Sequence, residues 1–292
     1  MAKMVREALE AGRRALAGAG SAVRDETPAL DAEVLLRCVL GAARAELFTY
    51  PERPLTAEAW GAYHALLARR RAGEPVAYLT GRREFMGLDF LVDGRVLIPR
   101  PETETLVERA LERLRAAGGP GAAPVAADPG TGSGAIAVSL AAHLPGLRVY
   151  ATDVSAAALE VARTNAARLL GPERTRVTFR RAALLDGTDE ALQVIAANLP
   201  YVPTSALPGL PPTVRRFEPW FALDGGADGL DCYRALLPQA RARLVAGGTL
   251  LMECDPAQAA ALRRLALAAF PRASVTIVHD LGGRARVVEV QT

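Results

Sequence analysis

The spacing of apolar side chains changes along the chain and divides it into three stretches. In the first 80 residues, apolar positions recur at helical spacing, which predicts helices at 5–16 and 28–40 and another that follows Thr56. Between 82 and 98 the spacing shifts toward alternation, which is typical of a β-hairpin. Beyond 125, short apolar runs alternate with helical segments, and this order predicts an α/β domain with a mostly parallel sheet.

These patterns set the expected organisation. We predict a helical domain over 1–80, a hairpin linker over 81–100 and an α/β domain over 101–292. The apolar runs that predict strands lie at 125–127, 147–152, 177–179, 194–197, 249–254, 274–278 and 285–290. Because a short glycine-containing turn separates the last two runs, they are expected to pair antiparallel at the sheet edge. The stretch 203–219 carries five prolines and is a candidate loop over a substrate site.

A glycine-rich turn joins the first predicted strand of the α/β domain to a helix. Gly130, Gly132 and Gly134 follow Asp128 within this turn. Glycine accepts positive φ and has no Cβ, so the backbone can fold sharply and lie directly against a ligand at the helix N-terminus. The spacing is neither the dinucleotide fingerprint nor a phosphate loop, which favours a nucleoside ligand. The alternative is a tight turn that needs glycine for steric reasons alone.

An acidic residue, Asp153, ends the second predicted strand about twenty residues beyond the glycines. A carboxylate at this place can accept both hydrogen bonds of a ribose diol, which fits a nucleoside cofactor. The other interpretation is that Asp153 caps the helix predicted at 155–169. We expect Asp128, Thr131 and Val154, which flank the glycines and Asp153, to belong to the same cofactor site.

The third candidate is the turn Asn198, Leu199, Pro200 and Tyr201, which follows an apolar strand. With the glycine turn and the acid, it resembles the S-adenosylmethionine methyltransferases that modify amide or exocyclic amino nitrogens. Such a planar nitrogen is a poor nucleophile, since its lone pair is delocalised, and it must be aimed at the methyl group. The Asn198 side-chain oxygen and the Leu199 carbonyl can accept its two N–H bonds. Alone, the segment is also an ordinary Asn/Pro turn.

Pro200 and Tyr201 can wall the planar group on its faces, and Asn198 is expected to contact the cofactor as well. This chemistry requires neither a general base nor a metal. The three histidines are scattered along the chain, which argues against a zinc site or a hydrolytic triad. We therefore predict no metal ligands.

Composition limits the class of protein. Half of the residues are hydrophobic and 23% are charged, so the chain can bury a substantial core. The net charge of +3 is too small to argue for a nucleic-acid substrate. Three cysteines without Cys-x-x-Cys spacing indicate reduced thiols, and no apolar run is long enough to span a bilayer. We expect a cytoplasmic protein, acting as a monomer and without a membrane partner.

Motifs across nearly the whole chain resemble the HemK/PrmC family, the N5-glutamine methyltransferases of peptide chain release factors. The most specific is Ile-Pro-Arg-Pro-Glu-Thr-Glu at 98–104. The others are the glycine turn, the Asn198 turn, and the segments at 74–81, 83–85, 218–219, 222–226 and 228–230. The resemblance implies a helical N-terminal domain, a hairpin and a seven-stranded Rossmann-like S-adenosylmethionine methyltransferase domain.

The resemblance also implies a substrate, namely the glutamine of a Gly-Gly-Gln tripeptide in peptide chain release factors. The N-terminal helices would then dock the carrier protein, since a single side chain offers little binding energy. The residues that it points to for substrate binding are Arg100, Pro101, Thr103, Glu218 and Pro219. The positions that contact the adenine in this family align with Ala183 and Leu184.

Several positions depart from the usual family pattern. Leu199 replaces a proline in the catalytic turn, which leaves a carbonyl available. Ala183 and Leu184 stand where the family tends to have an acid and an aromatic residue, so we expect weaker cofactor binding than in relatives that keep the acid. Gln193 stands where an Asp commonly precedes the turn, and a Glu-Cys-Asp segment at 253–255 replaces a more usual Glu-x-Gly.

Three hypotheses follow from these observations. The first is a protein-glutamine N5-methyltransferase that uses S-adenosylmethionine and acts on release factors. The second, a nucleic-acid adenine N6-methyltransferase, shares the catalytic turn but would need a basic groove, which the N-terminal helices lack. The third is a diverged paralogue that methylates another protein or binds the cofactor without catalysis.

Overall fold

The computed structural model of the protein describes residues 3–18, 27–117 and 123–292. The chain forms two compact units. One comprises Met1–Arg82 together with Leu210–Glu218, and the other comprises Arg83–Gly209 together with Pro219–Thr292. The proline-rich stretch that was expected to form one loop is therefore divided between the two units.

The first unit is helical. Its helices are α1 (Val5–Ala17), α2 (Pro28–Leu40), α3 (Arg44–Thr49), α4 (Ala57–Arg71) and α5 (Val76–Thr80). The Thr56 side chain accepts a hydrogen bond from the Ala59 N–H and so caps α4 as expected. Tyr63 is fully buried among the apolar faces of these helices, and its hydroxyl donates to the Ala32 carbonyl at 3.1 Å. The helices α3 and α5 were not predicted, because each is too short to show a helical period.

A two-stranded sheet, β1 (Arg82–Phe85) and β2 (Leu88–Leu91), follows α5. The tight turn at Met86 and Gly87 has φ values of 53° and 73°, so the hairpin closes earlier than the alternation over 82–98 suggested. Val96 and Ile98 are buried but lie outside any strand. Their alternation reflects an extended segment that packs apolar side chains inward without pairing.

The second unit contains a seven-stranded sheet with the order β5-β4-β3-β6-β7-β9-β8. Its strands are β3 (Val125–Pro129), β4 (Arg148–Asp153), β5 (Val177–Arg181), β6 (Leu192–Ala197), β7 (Leu244–Glu253), β8 (Ser274–His279) and β9 (Ala285–Gln291). The first five are parallel to one another, and β9 pairs antiparallel with both β7 and β8. The predicted seven-stranded fold and the antiparallel final pair are confirmed.

Helices cover both faces of the sheet. They are α6 (Glu102–Ala117), α7 (Ala135–His143), α8 (Ala156–Leu170), α10 (Asp231–Arg243) and α11 (Ala259–Ala269); a short α9 (Pro212–Arg215) belongs to the first unit. The apolar sides of α6, α7 and α8 join one hydrophobic core, and those of α10 and α11 join the other. Helix α10 ends at Arg243, because Leu244 and Val245 already begin β7.

The strand order reverses between β3 and β6, and this reversal positions the candidate site. In open parallel sheets, ligands bind outside the carboxyl ends of the strands at such a switch point. Asp128 in β3, Asp153 at the end of β4, Asn198 directly after β6 and Glu253 at the end of β7 all lie at that edge. Among the helices described, none is both long and apolar enough to cross a membrane.

Candidate active site

A cavity of about 430 Å³ opens at the carboxyl ends of the central strands. Its volume lies in the range of sites for small molecules and cofactors. Of the predicted site residues, those that line it are Gly130, Gly132, Asp153, Val154, Ala183, Leu184, Asn198, Leu199 and Pro200. The other lining residues were not predicted as site residues: Arg95, Val96, Leu97, Ala158, Ala182, Phe221, Ala222, Asp231, Cys232 and Ala235.

The glycine turn needs its glycines for two separate reasons. Gly130, Gly132 and Gly134 have φ values of 76°, 54° and 81°, which disfavour side chains. A Cβ on Gly130 would also lie 2.9 Å from the Cδ2 of Leu199, so the turn lies close to the Asn198 segment. The steric requirement for glycine is therefore real, and both segments line the same cavity.

Asp128 lies behind the cavity wall and organises the turn. It is fully buried, and its Oδ2 accepts from the Thr131 hydroxyl at 2.6 Å and from the Ala137 N–H at 3.0 Å. Its Oδ1 has no hydrogen-bond partner among the described residues. Burial raises the pKa of Asp128 to about 7, against the lowering effect of these two bonds, and the nearby Asp153 charge raises it further.

Asp153 joins the second strand to the turn. Its Oδ2 accepts from the Gly132 N–H at 2.9 Å and its Oδ1 accepts from the Ser155 N–H at 2.8 Å. Each carboxylate oxygen has two lone pairs, so both retain capacity toward the cavity that Asp153 lines. The cap of α8 is the Ser155 hydroxyl, which accepts from Ala158 N–H, so the helix-capping alternative for Asp153 is wrong. Burial raises the pKa of Asp153.

The side of the cavity next to β5 is apolar where the family pattern suggests an acid. Ala183 and Leu184 both line it, and Ala183 presents no hydrogen-bonding side chain. Leu184 has a φ of 50°, a conformation that is unfavourable for a bulky residue. The Thr152 hydroxyl donates to the Leu184 carbonyl, and the Leu185 N–H donates to the Gln239 side chain at 2.8 Å. These bonds hold the segment in this conformation.

The Asn198 side chain is held by a residue of α6. Its Nδ2 donates to the Thr103 hydroxyl at 3.0 Å, across a separation of 95 residues. The next residue, Leu199, is buried, and its backbone N–H donates to the Tyr233 hydroxyl at 3.3 Å. Tyr233 in turn donates to the Glu253 backbone carbonyl. The turn is thus fixed from α6 on one side and from α10 on the other.

The glycine-rich segment at 222–230 packs directly on the backbone of this turn. A Cβ on Gly225 would lie 2.6 Å from the Pro200 carbonyl oxygen, and one on Gly229 would lie 2.1 Å from the Tyr201 carbonyl oxygen. Val202 also pairs with this segment, since its N–H donates to Leu223 and its carbonyl accepts from Gly225, both at 2.9 Å. The motif that the resemblance highlighted is therefore a backbone support for the Asn198 turn.

Tyr201 faces a buried acid. Its hydroxyl donates to the Glu253 Oε1 at 3.4 Å, and Tyr201 is absent from the cavity lining. Burial raises the pKa of Glu253 to about 7, although hydrogen bonds from Thr103 and Tyr201 and the charge of Arg286 lower it. Burial also raises the pKa of Tyr201, so its hydroxyl stays protonated at neutral pH.

The residues suggested by the resemblance for substrate binding lie in different surroundings. Thr103 is buried and touches Asn198, whereas Pro101 is exposed and Arg100 is partly buried. Glu218 is buried and belongs to the helical unit, while Pro219 belongs to the sheet unit. Among the described residues, no group of three or more His, Cys, Asp or Glu side chains is arranged to hold a metal ion.

Two residues have roles that the sequence did not reveal. Gln193, noted only as a departure, lies at the far end of β6 from Asn198, and its side-chain oxygen accepts from the Val125 N–H at 2.6 Å. It therefore links β3 to β6 and does not line the cavity. Glu253 was also noted only as a departure, yet it ends the strand beside β6. A carboxylate that follows the apolar run 250–252 was the available signal.

Comparison with known proteins identifies the family. Residues 7–81 match the family described as PrmC N-terminal domain, and residues 126–217 match a methyltransferase domain family. The release factor glutamine methyltransferase of Moorella thermoacetica is 47% identical over 283 residues, which cover 97% of this chain and 96% of that protein. The chain belongs to the release factor glutamine methyltransferase family.

A second member of the release factor glutamine methyltransferase family, from Bradyrhizobium diazoefficiens, is 41% identical over 98% of this chain and 95% of that protein. Solved structures share the fold at lower identity. The hMettl16 catalytic domain in complex with the MAT2A 3'UTR hairpin 6 is 15% identical, with a TM-score of 0.56 over 77% of this chain and 81% of that chain. A methyltransferase from Pyrococcus furiosus is 18% identical, with a TM-score of 0.50 over 78% of this chain and 96% of that chain.

Proposed function

We propose that this enzyme transfers the methyl group of S-adenosylmethionine to the side-chain amide nitrogen, N5, of the glutamine in the Gly-Gly-Gln motif of peptide chain release factors. The observation that carries the proposal is the Asn198 amide, which lines the cavity while its Nδ2 is bonded to Thr103. Its Oδ1 is left as an acceptor for an N–H group. Relatives named for glutamine methylation of release factors support the choice of substrate.

The cavity fits the cofactor in its polar contacts. The Asp153 carboxylate would accept from the ribose hydroxyls with the lone pairs that its bonds to Gly132 and Ser155 leave free. Gly130 and Gly132, which line the wall, allow the backbone to lie close to the ligand. Val154, Ala183 and Leu184 would enclose the adenine. When bound, the cofactor supplies an electrophilic methyl group on a sulfonium sulfur.

The protein's contribution to the reaction is positioning. The Asn198 Oδ1 and the Leu199 carbonyl each accept one N–H of the glutamine amide, which aims its lone pair along the line of methyl transfer. Pro200, on the cavity wall, restrains the planar amide, and Tyr201 supports the turn from below through Glu253. Once the amide nitrogen takes up the methyl group that the bound cofactor would supply, one of the two protons on that nitrogen would pass to water.

We further propose that the helical unit docks the release factor. Within this unit Phe48 is 59% exposed and Leu30 is 48% exposed, and both border a groove. The groove also contains Arg6, Arg13 and Arg44, together with Glu10 and Glu33, which pair with Arg13 and Arg44. An exposed aromatic ring beside arginines is typical of protein interfaces. Since one glutamine side chain supplies little binding energy, remote contacts of this kind are needed to present it.

A pair of surface variants tests the docking role. Phe48→Asp should raise the KM for intact release factor at least about fivefold, with little effect on a short Gly-Gly-Gln peptide, because it removes a remote contact. Leu281→Asp is the matched control, since Leu281 is an exposed apolar residue of the sheet unit. Equal effects of the two substitutions, or an equal effect of Phe48→Asp on protein and peptide, would contradict docking at this groove.

The class of substrate is tested by offering purified enzyme labelled S-adenosylmethionine with release factor, with DNA or with RNA. We expect label in the release factor and none in nucleic acid. Label in DNA or RNA with an unmodified release factor would replace the proposal by adenine N6-methylation.

The free cysteines Cys38, Cys232 and Cys254 agree with a reducing cytoplasm. Cytoplasmic location and action as a monomer stay predictions.

A further inference from the structure

Two buried residues stand behind Asn198, and neither lines the cavity. Thr103 is 4% exposed and Glu253 is 2% exposed. The Thr103 hydroxyl accepts from the Asn198 Nδ2 at 3.0 Å, and a hydrogen bond from Thr103 lowers the pKa of the Glu253 carboxyl. Tyr201 donates to the same carboxylate, whose Oε2 has no hydrogen-bond partner among the described residues. These contacts form a chain from the acid to the amide of Asn198.

The protons in this chain can be assigned from the chemistry of its members. A threonine hydroxyl has one proton to donate, and an ionised carboxylate can only accept. The Thr103 proton therefore points to Glu253, which leaves its oxygen as an acceptor toward Asn198. Because Nδ2 is the only donor in the Asn198 side chain, the amide turns its Nδ2 to Thr103 and its Oδ1 away from it.

We infer that Thr103 and Glu253 are positioning residues that select the orientation of the Asn198 amide. The two orientations have nearly the same shape, so packing alone distinguishes them poorly. Reversal would present N–H donors to the N–H groups of an incoming amide and remove the acceptor. The identity of that incoming group rests on the proposed function, whereas the orientation of Asn198 does not.

The orientation is sensitive to the proton on Glu253. A protonated Glu253 can donate to Thr103, whose own proton is then free to point toward Asn198 and to favour Oδ1 in the place of Nδ2. Burial places the pKa of this carboxyl at about 7. The ionisable groups around it are Arg100, Glu102 on α6, Tyr201, Tyr233 on α10, Cys254, Asp255 and Arg286 on β9. Arg100 and Arg286 are the cations among these, and Arg286 also pairs with Asp280 and Glu102.

The sequence offers an unusually clean test, since its only asparagines are Asn165 and Asn198. Selective ¹⁵N-asparagine labelling therefore gives two side-chain NH₂ groups in an NMR spectrum. Asn165 serves as an internal reference, because its Nδ2 donates to the Leu91 and Ser133 carbonyls at 2.9 Å and its Oδ1 accepts from Leu91. In the wild type, the Asn198 signals should shift between pH 6 and 8 while those of Asn165 stay constant.

Three variants test whether Thr103 and Glu253 set the orientation of the Asn198 amide. Thr103→Val keeps the shape but can neither donate nor accept, so it should abolish the pH-dependent shift of the Asn198 signals. Thr103→Ser should keep that shift, and Glu253→Gln should abolish it as well. An Asn198 shift that persists in Thr103→Val, or no Asn198 shift in the wild type, would overturn the proposal. These spectra are read without methyl transfer, so their outcome is independent of the proposed function.

Kinetics supply the second readout. With release factor as acceptor, Thr103→Val should lower kcat about tenfold or more and leave the dissociation constant of S-adenosylmethionine within about twofold, as expected for loss of one positioning contact. Thr103→Ser should recover most of kcat, and Glu253→Gln should remove the acidic limb of the pH profile. Unchanged kcat in Thr103→Val would overturn positioning, whereas an inactive wild type would contradict the proposed function and leave the spectra to decide the orientation.

Discussion

The Oδ2 atom of Asp153 accepts a hydrogen bond from the Gly132 N–H at 2.9 Å, so the end of β4 and the glycine turn are directly linked. Asp153 therefore both fixes the glycine turn and lines the cavity. A carboxylate that is already bonded to two backbone N–H groups is held in place before a ligand arrives, which reduces the ordering cost of binding.

Removal of this carboxylate should weaken cofactor binding. We expect Asp153→Ala to weaken binding of S-adenosylmethionine by roughly 1.5–3 kcal/mol, the range for hydrogen bonds to a charged group. Asp153→Asn keeps one acceptor oxygen and should lose less. Isothermal calorimetry measures both, and an unchanged affinity in Asp153→Ala would contradict the assignment of Asp153 to the cofactor.

The apolar side of the cavity at Ala183 and Leu184, where we propose that the adenine lies, predicts a gain of affinity. Ala183→Asp introduces a carboxylate on the cavity wall, where it can accept from the adenine amino group. Binding should tighten by about 1.5 kcal/mol, the lower end of the range for a hydrogen bond to a charged group. Ala183→Asn is the uncharged control. Calorimetry that finds equal or weaker binding in Ala183→Asp would show that Ala183 does not face the amino group.

Loss of the Asn198 amide should act on turnover. Asn198→Ala removes the acceptor that aims the attacking nitrogen, so we expect kcat to fall at least about a hundredfold. The dissociation constant of the cofactor should change much less, because the Asp153 and glycine contacts remain. Steady-state kinetics and calorimetry on the same sample separate the two effects. Comparable losses in both would make Asn198 a structural turn residue.

The buried Asp128 predicts how stability depends on pH. Its folded pKa of about 7 exceeds the usual value near 4, so between these values the folded state binds more protons than the unfolded state. The free energy of unfolding must then fall as pH rises through this window, by up to about 1.4 kcal/mol per pH unit for this group. Asp128→Asn keeps an oxygen for Thr131 and Ala137 and should reduce that fall.

Urea unfolding of the two proteins at pH 5 and pH 8, without cofactor, measures this difference. The raised pKa of Glu253 also makes the free energy of unfolding fall as pH rises, and it does so in both proteins. The difference between the two proteins therefore reports on Asp128. A wild type and an Asp128→Asn variant with identical pH dependence would contradict a raised pKa at this position.

Local patterns predicted much of this molecule. The seven strands, the glycine turn, the cap at Thr56 and the main helices followed from period and turn chemistry. The contact between Asn198 and Thr103 did not follow, because nothing in either segment specifies a partner 95 residues away. The same limit hid Glu253, whose importance depends on β7 lying beside β6. The predicted hairpin extended too far along the chain, because the apolar alternation at 96–98 reflects burial and not strand pairing.

The central claim is methyl transfer to one glutamine nitrogen, and the most direct measurement is mass spectrometry of release factor after incubation with enzyme and S-adenosylmethionine. The account predicts one added methyl group on the glutamine of the Gly-Gly-Gln peptide with the wild type, and none with Asn198→Ala. A release factor whose Gly-Gly-Gln glutamine is replaced by alanine should stay unmodified. An unmodified Gly-Gly-Gln peptide in the presence of active, cofactor-bound wild-type enzyme, or methylation at another site, would contradict it.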